Sequence, residues 1–155
     1  MEWKLKAFDK LTGLEVYRIL QNRVNVFMLE QNCLYPEVDN KDLASHHLFL
    51  ETDNGEIAAY CRLLPQGVSY PQASIGRVIV NQAYRGQGLA RDLMSMAISY
   101  ITEVWGEREI KIQAQHYLEH FYGSFGFKGI SDVYLEDDIP HVDMLLRVEE
   151  TGAAE

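Results

Sequence analysis

Hydrophobic and polar positions alternate along this chain with two periods, near two and near 3.6, and the switches between them divide it into elements. Residues 3–7 alternate and predict a short first strand. Leu14, Tyr17, Leu20, Val24, Phe27 and Met28 repeat at helical spacing and predict a helix with a broad apolar face over residues 14–28. Thr12 followed by Glu15 is a capping-box signature for its start. Apolar periodicity then fades, and residues 31–45 read as a long loop rich in Pro, Asn and Asp. Residues 47–52 and 56–64 predict two strands joined at Asp53, Asn54 and Gly55, a hairpin turn signal. Residues 65–72 read as a further turn region.

A β-branched strand follows at 75–80, then a glycine-punctuated turn, then a long helix over 89–105 with Leu89, Leu93, Met96, Ala97, Ile101 and Val104 on one side. The remainder predicts a strand at 109–114, a short helix at 118–125 stopped by Gly126, and two last strands at 130–135 and 142–148. The order is β-α-β-β-β-α-β-α-β-β. It predicts a single α/β domain over 3–148, a mixed central sheet with helices on both faces, and a polar tail at 149–155.

Composition narrows the classes. The 155 residues suit one domain. The longest apolar run, Ile57 to Cys61, is five residues, far short of the ~20 that a membrane-crossing helix needs. The first ten residues carry five charges and show no apolar stretch or small-residue cleavage site, so a cytoplasmic location is expected, with no membrane partner. Asp plus Glu outnumber Lys plus Arg by 23 to 14, a net charge of −9, which disfavours a nucleic-acid partner. That acidity suits either a cationic substrate or simply a solvated surface. Cys33 and Cys61 form no CxxC pair and no disulfide framework.

The densest chemical signal lies in residues 75–90, IGRVIVNQAYRGQGLA. A strand runs into a turn carrying Gly86 and Gly88, and the turn opens a helix. A helix start leaves backbone N–H groups unpaired and carries partial positive charge, so such a turn can cradle a phosphate or pyrophosphate without a basic protein. A plain strand-to-helix turn would also use these glycines. The P-loop pattern GxxxxGK[ST] and the dinucleotide pattern GxGxxG are both absent.

Arg85-x-x-Gly88-x-Ala90, after a strand and opening a helix, resembles the [Q/R]xxGx[G/A] signature of the GCN5-related N-acetyltransferases (GNAT superfamily). Tyr122-Gly123-Ser124-Phe125-Gly126-Phe127, one strand later, looks like that family's late Tyr-containing helix. Glu30-Gln31-Asn32-Cys33 with Tyr35, the strand at 75–80 and the segment 134–141 look like its ElaA-type subgroup. The resemblance covers residues 3–148 and implies an acetyl-coenzyme A-dependent N-acetyltransferase. It implies that Arg85, Gly86, Gln87, Gly88, Leu89, Ala90 and Arg91 hold the pyrophosphate. It also implies that the backbone of Val78, Ile79 and Val80 carries the pantetheine arm and polarises the thioester, that Gln115 touches the cofactor, and that Tyr122 is the general acid.

The general base is open between Glu30, His141 and Glu136, with ordered water as a further route. Glu37, Asp39 and Asp42 in the long loop, with Glu136, Asp137 and Asp138 in the late one, would favour a cationic small-molecule or peptide amine. Arg62 and Arg77 read equally as ion-pair partners and as acceptor ligands. Neither cysteine has an evident base nearby, so direct transfer in a ternary complex is expected, by a monomer or homodimer. Two rivals stand beside this reading. One is a non-catalytic acetyl-CoA-binding sensor or interaction module. The other is a zinc hydrolase, since His116-Tyr117-Leu118-Glu119-His120 fits HxxEH; the acetyltransferase reading itself expects no metal.

Overall fold

The structure is a computed structural model describing residues 1–33 and 36–149. Tyr35 of the subgroup motif and residues 150–155 of the predicted tail lie outside the described residues.

Eight strands form one mixed sheet: β1 (Glu2–Ala7), β2 (His46–Glu51), β3 (Ile57–Leu64), β4 (Ala73–Val80), β5 (Glu109–Gln115), β6 (Lys128–Gly129), β7 (Tyr134–Glu136) and β8 (Ile139–Arg147). The order is β1-β2-β3-β4-β5-β8-β6, with β7 also on β8. Every pairing is antiparallel except β4 with β5. The helices are α1 (Gly13–Arg23), α2 (Leu89–Ser99) and α3 (Glu119–Gly123). Both long helices end in wider π-helical turns, Val24–Glu30 and Tyr100–Val104.

The capping box forms as its sequence predicts. The Glu15 amide donates to Thr12 Oγ1 at 3.1 Å, and the Thr12 amide donates to Glu15 Oε1 at 2.8 Å. The sheet's alternation then separates two cores. Leu48, Leu50, Cys61 and Leu63 pack with Leu93, Met94, Ala97 and Ile101 of the second helical stretch. Phe49, Tyr60 and Ile79 pack with Ile19 and Val26 of the first. Helices therefore cover both faces, as expected for this α/β class.

Three expectations need correction. The predicted strand 130–135 is broken, with β6 and β7 both on the outer edge of β8 and residues 130–133 irregular between them. Ser131 and Asp132 interrupt the apolar run, and the Ser131 hydroxyl instead accepts from the Asp143 amide at 2.9 Å. The segment around His141, expected to be a loop, is a tight hairpin. Asp137 and Asp138 both take positive φ, 52° and 64°, the pair of left-handed residues that a type I′ turn requires. The long loop 31–45 contains a 3₁₀ turn at Lys41–Ala44.

Beneath that loop lies a largely buried lattice of three arginines and three carboxylates. Arg23 Nε and Nη1 donate to Glu37 Oε2 and Asp42 Oδ1, each at 2.6 Å. Arg62 Nη1 and Nη2 donate to Asp39 Oδ1 and Oδ2 at 2.9 and 2.8 Å, and Nη1 also reaches Asp42 Oδ1 at 3.0 Å. Arg77 Nε donates to Glu37 Oε2 at 2.8 Å. His47 is locked beside the lattice. Its Nε2 lies 3.0 Å from the Asp42 carbonyl, which can only accept, so Nδ1 accepts from the Tyr60 hydroxyl at 2.7 Å.

These environments give stability a definite pH dependence. Burial pushes the His47 imidazole below its ordinary 6.5. Burial alone would raise Asp39 and Asp42, but the hydrogen bonds and charges of Arg62 and Arg23 outweigh it and lower both from 3.8. All three groups have depressed folded values, so their stabilisation is complete above the unfolded value and is lost as pH falls through the folded one. The melting temperature should begin to fall below about pH 6.5 and drop steeply below about pH 4. Calorimetry from pH 8 to 3 checks this, and a level melting temperature from pH 7 to 4 contradicts the buried-histidine account.

Candidate active site

The site begins with a fault in the sheet. Tyr60 pairs with Ile79, but Arg62 pairs with Gly76, so two residues of β4, Arg77 and Val78, face the single Cys61. Such a bulge bends its strand and takes backbone groups out of the ladder. Arg77 adopts φ +52°, a left-handed conformation unfavourable for a long side chain. Its guanidinium bonds to Glu37 and Asp39 and lies 6.0 Å over the Phe27 ring, contacts that hold it there.

β4 has already left β5 before the bulge. The two strands pair only at Ala73 with Ile110 and Ser74 with Lys111, then diverge. A cleft of about 710 Å³ opens between them. It is lined by Val78, Ile79 and Val80 on one wall, Gln115 and His141 on the other, with Glu30, Arg85, Ala90 and Tyr122 also bordering it. Residues expected from distant parts of the chain thus share one cavity.

At one end lies the glycine turn. Gly86 and Gly88 have φ +84° and +78°, and a Cβ on either would point into open space. Gly88 caps α2 without a side-chain partner, and the first backbone bond of the helix is Asp92 N–H to Gly88 O at 3.2 Å. The amides of Leu89, Ala90 and Arg91 therefore have no backbone acceptor among the described residues. Gln87 lies between the two glycines in this turn. The Arg91 side chain does not face it. It donates to Ser124 Oγ at 3.0 Å and lies 4.8 Å over the Phe125 ring.

Two other side chains are committed elsewhere. Arg85 makes a two-pronged pair with Glu30, at 2.7 and 3.0 Å, and donates from Nε to the Val80 carbonyl at 2.9 Å. That hydrogen bond and charge hold the Glu30 carboxyl below its usual range. Glu30 is thus kept ionised but is a weak proton acceptor. Gln31, the next residue, reaches Gln115 Nε2 at 3.5 Å.

Tyr122 is 7% exposed and belongs to the core beside α2, while also bordering the cleft. Burial pushes its phenol well above the ordinary value. No described residue shares a hydrogen bond with its hydroxyl. His141 lies on β8, its ring 6.3 Å from Tyr134 at 26° between planes. Its Nδ1 is 2.7 Å from the Ile139 carbonyl, so Nδ1 carries the proton and Nε2 holds the lone pair in the neutral ring.

The carboxylates of the long loop do not form an open acidic field. Glu37, Asp39 and Asp42 are matched by Arg23, Arg62 and Arg77. Arg62 and Arg77 are ion-pair partners within that lattice. Glu136 and Asp137 line the cleft, whereas Asp138 completes the turn. The HxxEH pentapeptide spans a change of helix type, His116 in a 3₁₀ turn and His120 in α3, so its two histidines do not share one α-helical face.

Residues 18–148 match the family described as Acetyltransferase (GNAT) domain. The chain belongs to the GNAT acetyltransferase family. It is 41% identical to the UPF0039 protein C11D3.02c of Schizosaccharomyces pombe, covering 96% of this chain and 98% of that one. Protein ElaA of Escherichia coli is 38% identical over 96% of this chain and 97% of its own. Among solved structures, an acyl-CoA N-acyltransferase from Pseudomonas aeruginosa superposes with TM-score 0.89 at 42% identity, covering 94% and 98% of the two chains. The crystal structure of Escherichia coli ElaA gives TM-score 0.88 at 36% identity, covering 94% and 99%. The GNAT resemblance and its ElaA-type refinement, read from short motifs, therefore extend across nearly the whole chain. The GNAT fold supports a transferase. No helix of the described residues is long and apolar enough to cross a membrane.

Sequence reasoning missed three things in this GNAT domain. The bulge at Arg77 has no sequence signal, because it is defined by the partner strand. The pairing of Glu30 with Arg85 joins residues 55 apart. Tyr134, which stacks on His141, and its partners Asp143 and Gln113 carry no site signal in the sequence, although the Asp-Asp pair is a recognisable turn signal.

Proposed function

We propose that this chain is an N-acetyltransferase moving the acetyl group of acetyl-CoA to a primary amine by direct attack in a ternary complex. The reading rests on one observation: Tyr122 and His141 line the same cleft, beside the backbone of Val78, Ile79 and Val80. Acetyl-CoA, when bound, supplies the activated acetyl group. The chain's own residues fit it. Gly86 and Gly88 leave the surface clear, and the free amides of Leu89, Ala90 and Arg91 suit a pyrophosphate. The backbone of Val78, Ile79 and Val80 lies along the cleft wall for an extended arm, and the bulge frees a donor for a thioester oxygen.

Neutral His141 accepts the amine's proton at Nε2, with Nδ1–H fixed on Ile139. Tyr122, kept protonated by burial, donates to the departing thiolate. Glu30, held ionised by Arg85, is set aside as the base. No cysteine-linked intermediate is expected. Burial raises the thiol pKa of Cys61, and burial with the charges of Asp137 and Asp138 raises that of Cys33.

Turnover of acetyl-CoA, read as free thiol across polyamines, amino sugars, amino acids and lysine peptides, tests the reading. Calorimetry in parallel reports donor binding. Turnover with one amine class supports it; binding without turnover across the panel turns the reading toward a sensor. Gly88→Glu should weaken acetyl-CoA binding by about tenfold to a hundredfold. It places a β-carbon at φ +78° and a carboxylate beside the anion cradle. Unchanged affinity removes the cradle.

A further inference from the structure

His141 reaches the cleft from near the start of a strand whose outer edge is poorly paired. β7 contributes three residues, and residues 130–133 beside it leave the ladder. A base on such an edge needs something to hold its ring. The register places Tyr134 directly opposite His141, with Gln115 opposite it on the inner side. Tyr134 and His141 rings lie 26° from parallel at 6.3 Å, within the range of offset stacking.

Tyr134 is itself fixed at its far end. Its hydroxyl donates to Asp143 Oδ1 in a short hydrogen bond and accepts from Gln113 Nε2 at 3.0 Å. One donor and one acceptor role are both used, so the ring has one orientation. Asp143 lies two residues beyond His141 on the same face of β8 and pairs in register with Gln113 of β5. Lys111 Nζ stands 4.0 Å from Asp143 Oδ2 and 4.5 Å over the Tyr70 ring, extending the brace. None of these contacts involves the acid Tyr122 or the glycine turn.

We propose that Tyr134, clamped by Asp143 and Gln113, is the positioning residue for His141, holding the imidazole plane so that Nε2 faces the cleft while Nδ1–H stays on the Ile139 carbonyl. The proposal rests on the reading of His141 as the base only for its catalytic consequence; the positioning itself is measurable without turnover. Burial and the Asp143 hydrogen bond push the Tyr134 phenol up to about 12, so the clamp persists across the working pH range.

The test is long-range proton–nitrogen NMR of the full chain with labelled histidine. It compares wild type, Tyr134→Ala and Tyr134→Phe, with the amide fingerprint confirming the fold. Wild-type His141 should show the Nδ1–H tautomer. Tyr134→Ala should move it toward the mixture of free imidazole, and kcat should fall about tenfold with KM for acetyl-CoA unchanged. Tyr134→Phe keeps the ring and should retain most of the tautomer preference, which is the rescue a purely volumetric role would not distinguish from leucine. Should alanine fail to fold, Tyr134→Leu takes its place and should lose the preference that phenylalanine keeps. An unaltered His141 tautomer in folded Tyr134→Ala or Tyr134→Leu overturns the proposal. A shifted tautomer together with a fully active His141→Gln upholds the positioning and overturns the base assignment instead.

Discussion

Replacing Arg23 with methionine is expected to destabilise the fold by about 3–5 kcal/mol, the range for stripping one partner from a buried ion pair. Arg23 is 0% exposed at the end of α1, where its three donors reach Glu37 Oε2, Asp42 Oδ1 and the Glu37 carbonyl. Burial opposes its charge, yet Tyr60, Glu37 and Asp42 outweigh that penalty and hold the guanidinium charged. Methionine fills much of the volume but leaves the lattice with Arg62 and Arg77 against Glu37, Asp39 and Asp42, an excess of one buried negative charge. Because Glu37 and Asp42 keep Arg77 and Arg62 as partners, the cost should lie toward the lower end of the range. Urea unfolding measures it as a lower midpoint at unchanged slope. Glu37→Gln added to Arg23→Met removes the excess charge and should recover about 1 kcal/mol or more. A loss below about 1 kcal/mol for the single variant would falsify the lattice as a stability element. The lattice also reaches the site, since Glu37 and Asp39 hold Arg77 in the left-handed bend of β4, and Arg77 lines the cleft.

This arrangement explains why the chain could be read in part. Local patterns were legible. The Thr12–Glu15 box, the turn at Asp53–Gly55, the alternation of β2 and β3, and the glycines before α2 each act within a few residues, and each formed. The cleft did not announce itself. Its bulged wall depends on Arg77 facing carboxylates 38 and 40 positions earlier and on a count of residues against β3. Arg23 sits in an amphipathic helix with no mark distinguishing it from a solvated arginine, because its partners arrive 14 and 19 residues later. The loop carboxylates suggested a cation trap for the same reason: their neutralisation lies in other elements. The names of the site residues came from a motif, while their states of charge came only from the fold.

Tyr122→Phe should lower turnover by about 10²–10³, equivalent to about 2.7–4.1 kcal/mol of barrier at 1.36 kcal/mol per decade. The substitution removes one oxygen and nothing else. The ring of Tyr122 meets Phe121 at 5.2 Å and Phe127 at 6.2 Å, both edge-on, and a phenylalanine keeps both contacts. No described residue loses a hydrogen bond to the hydroxyl, so a structural role for that oxygen predicts no change in turnover and little in stability. An acid role predicts the reverse: kcat collapses, the melting temperature stays within about 2 °C, and acetyl-CoA binds within about threefold. The upward displacement of the phenol by burial sharpens this. The group stays protonated through the neutral range and donates when negative charge develops on the departing sulfur, where a directed donor is strongest. Steady-state kinetics with calorimetry of the same preparations decide the matter, and wild-type turnover in Tyr122→Phe removes the acid from the mechanism while leaving the cleft and its glycine turn in place.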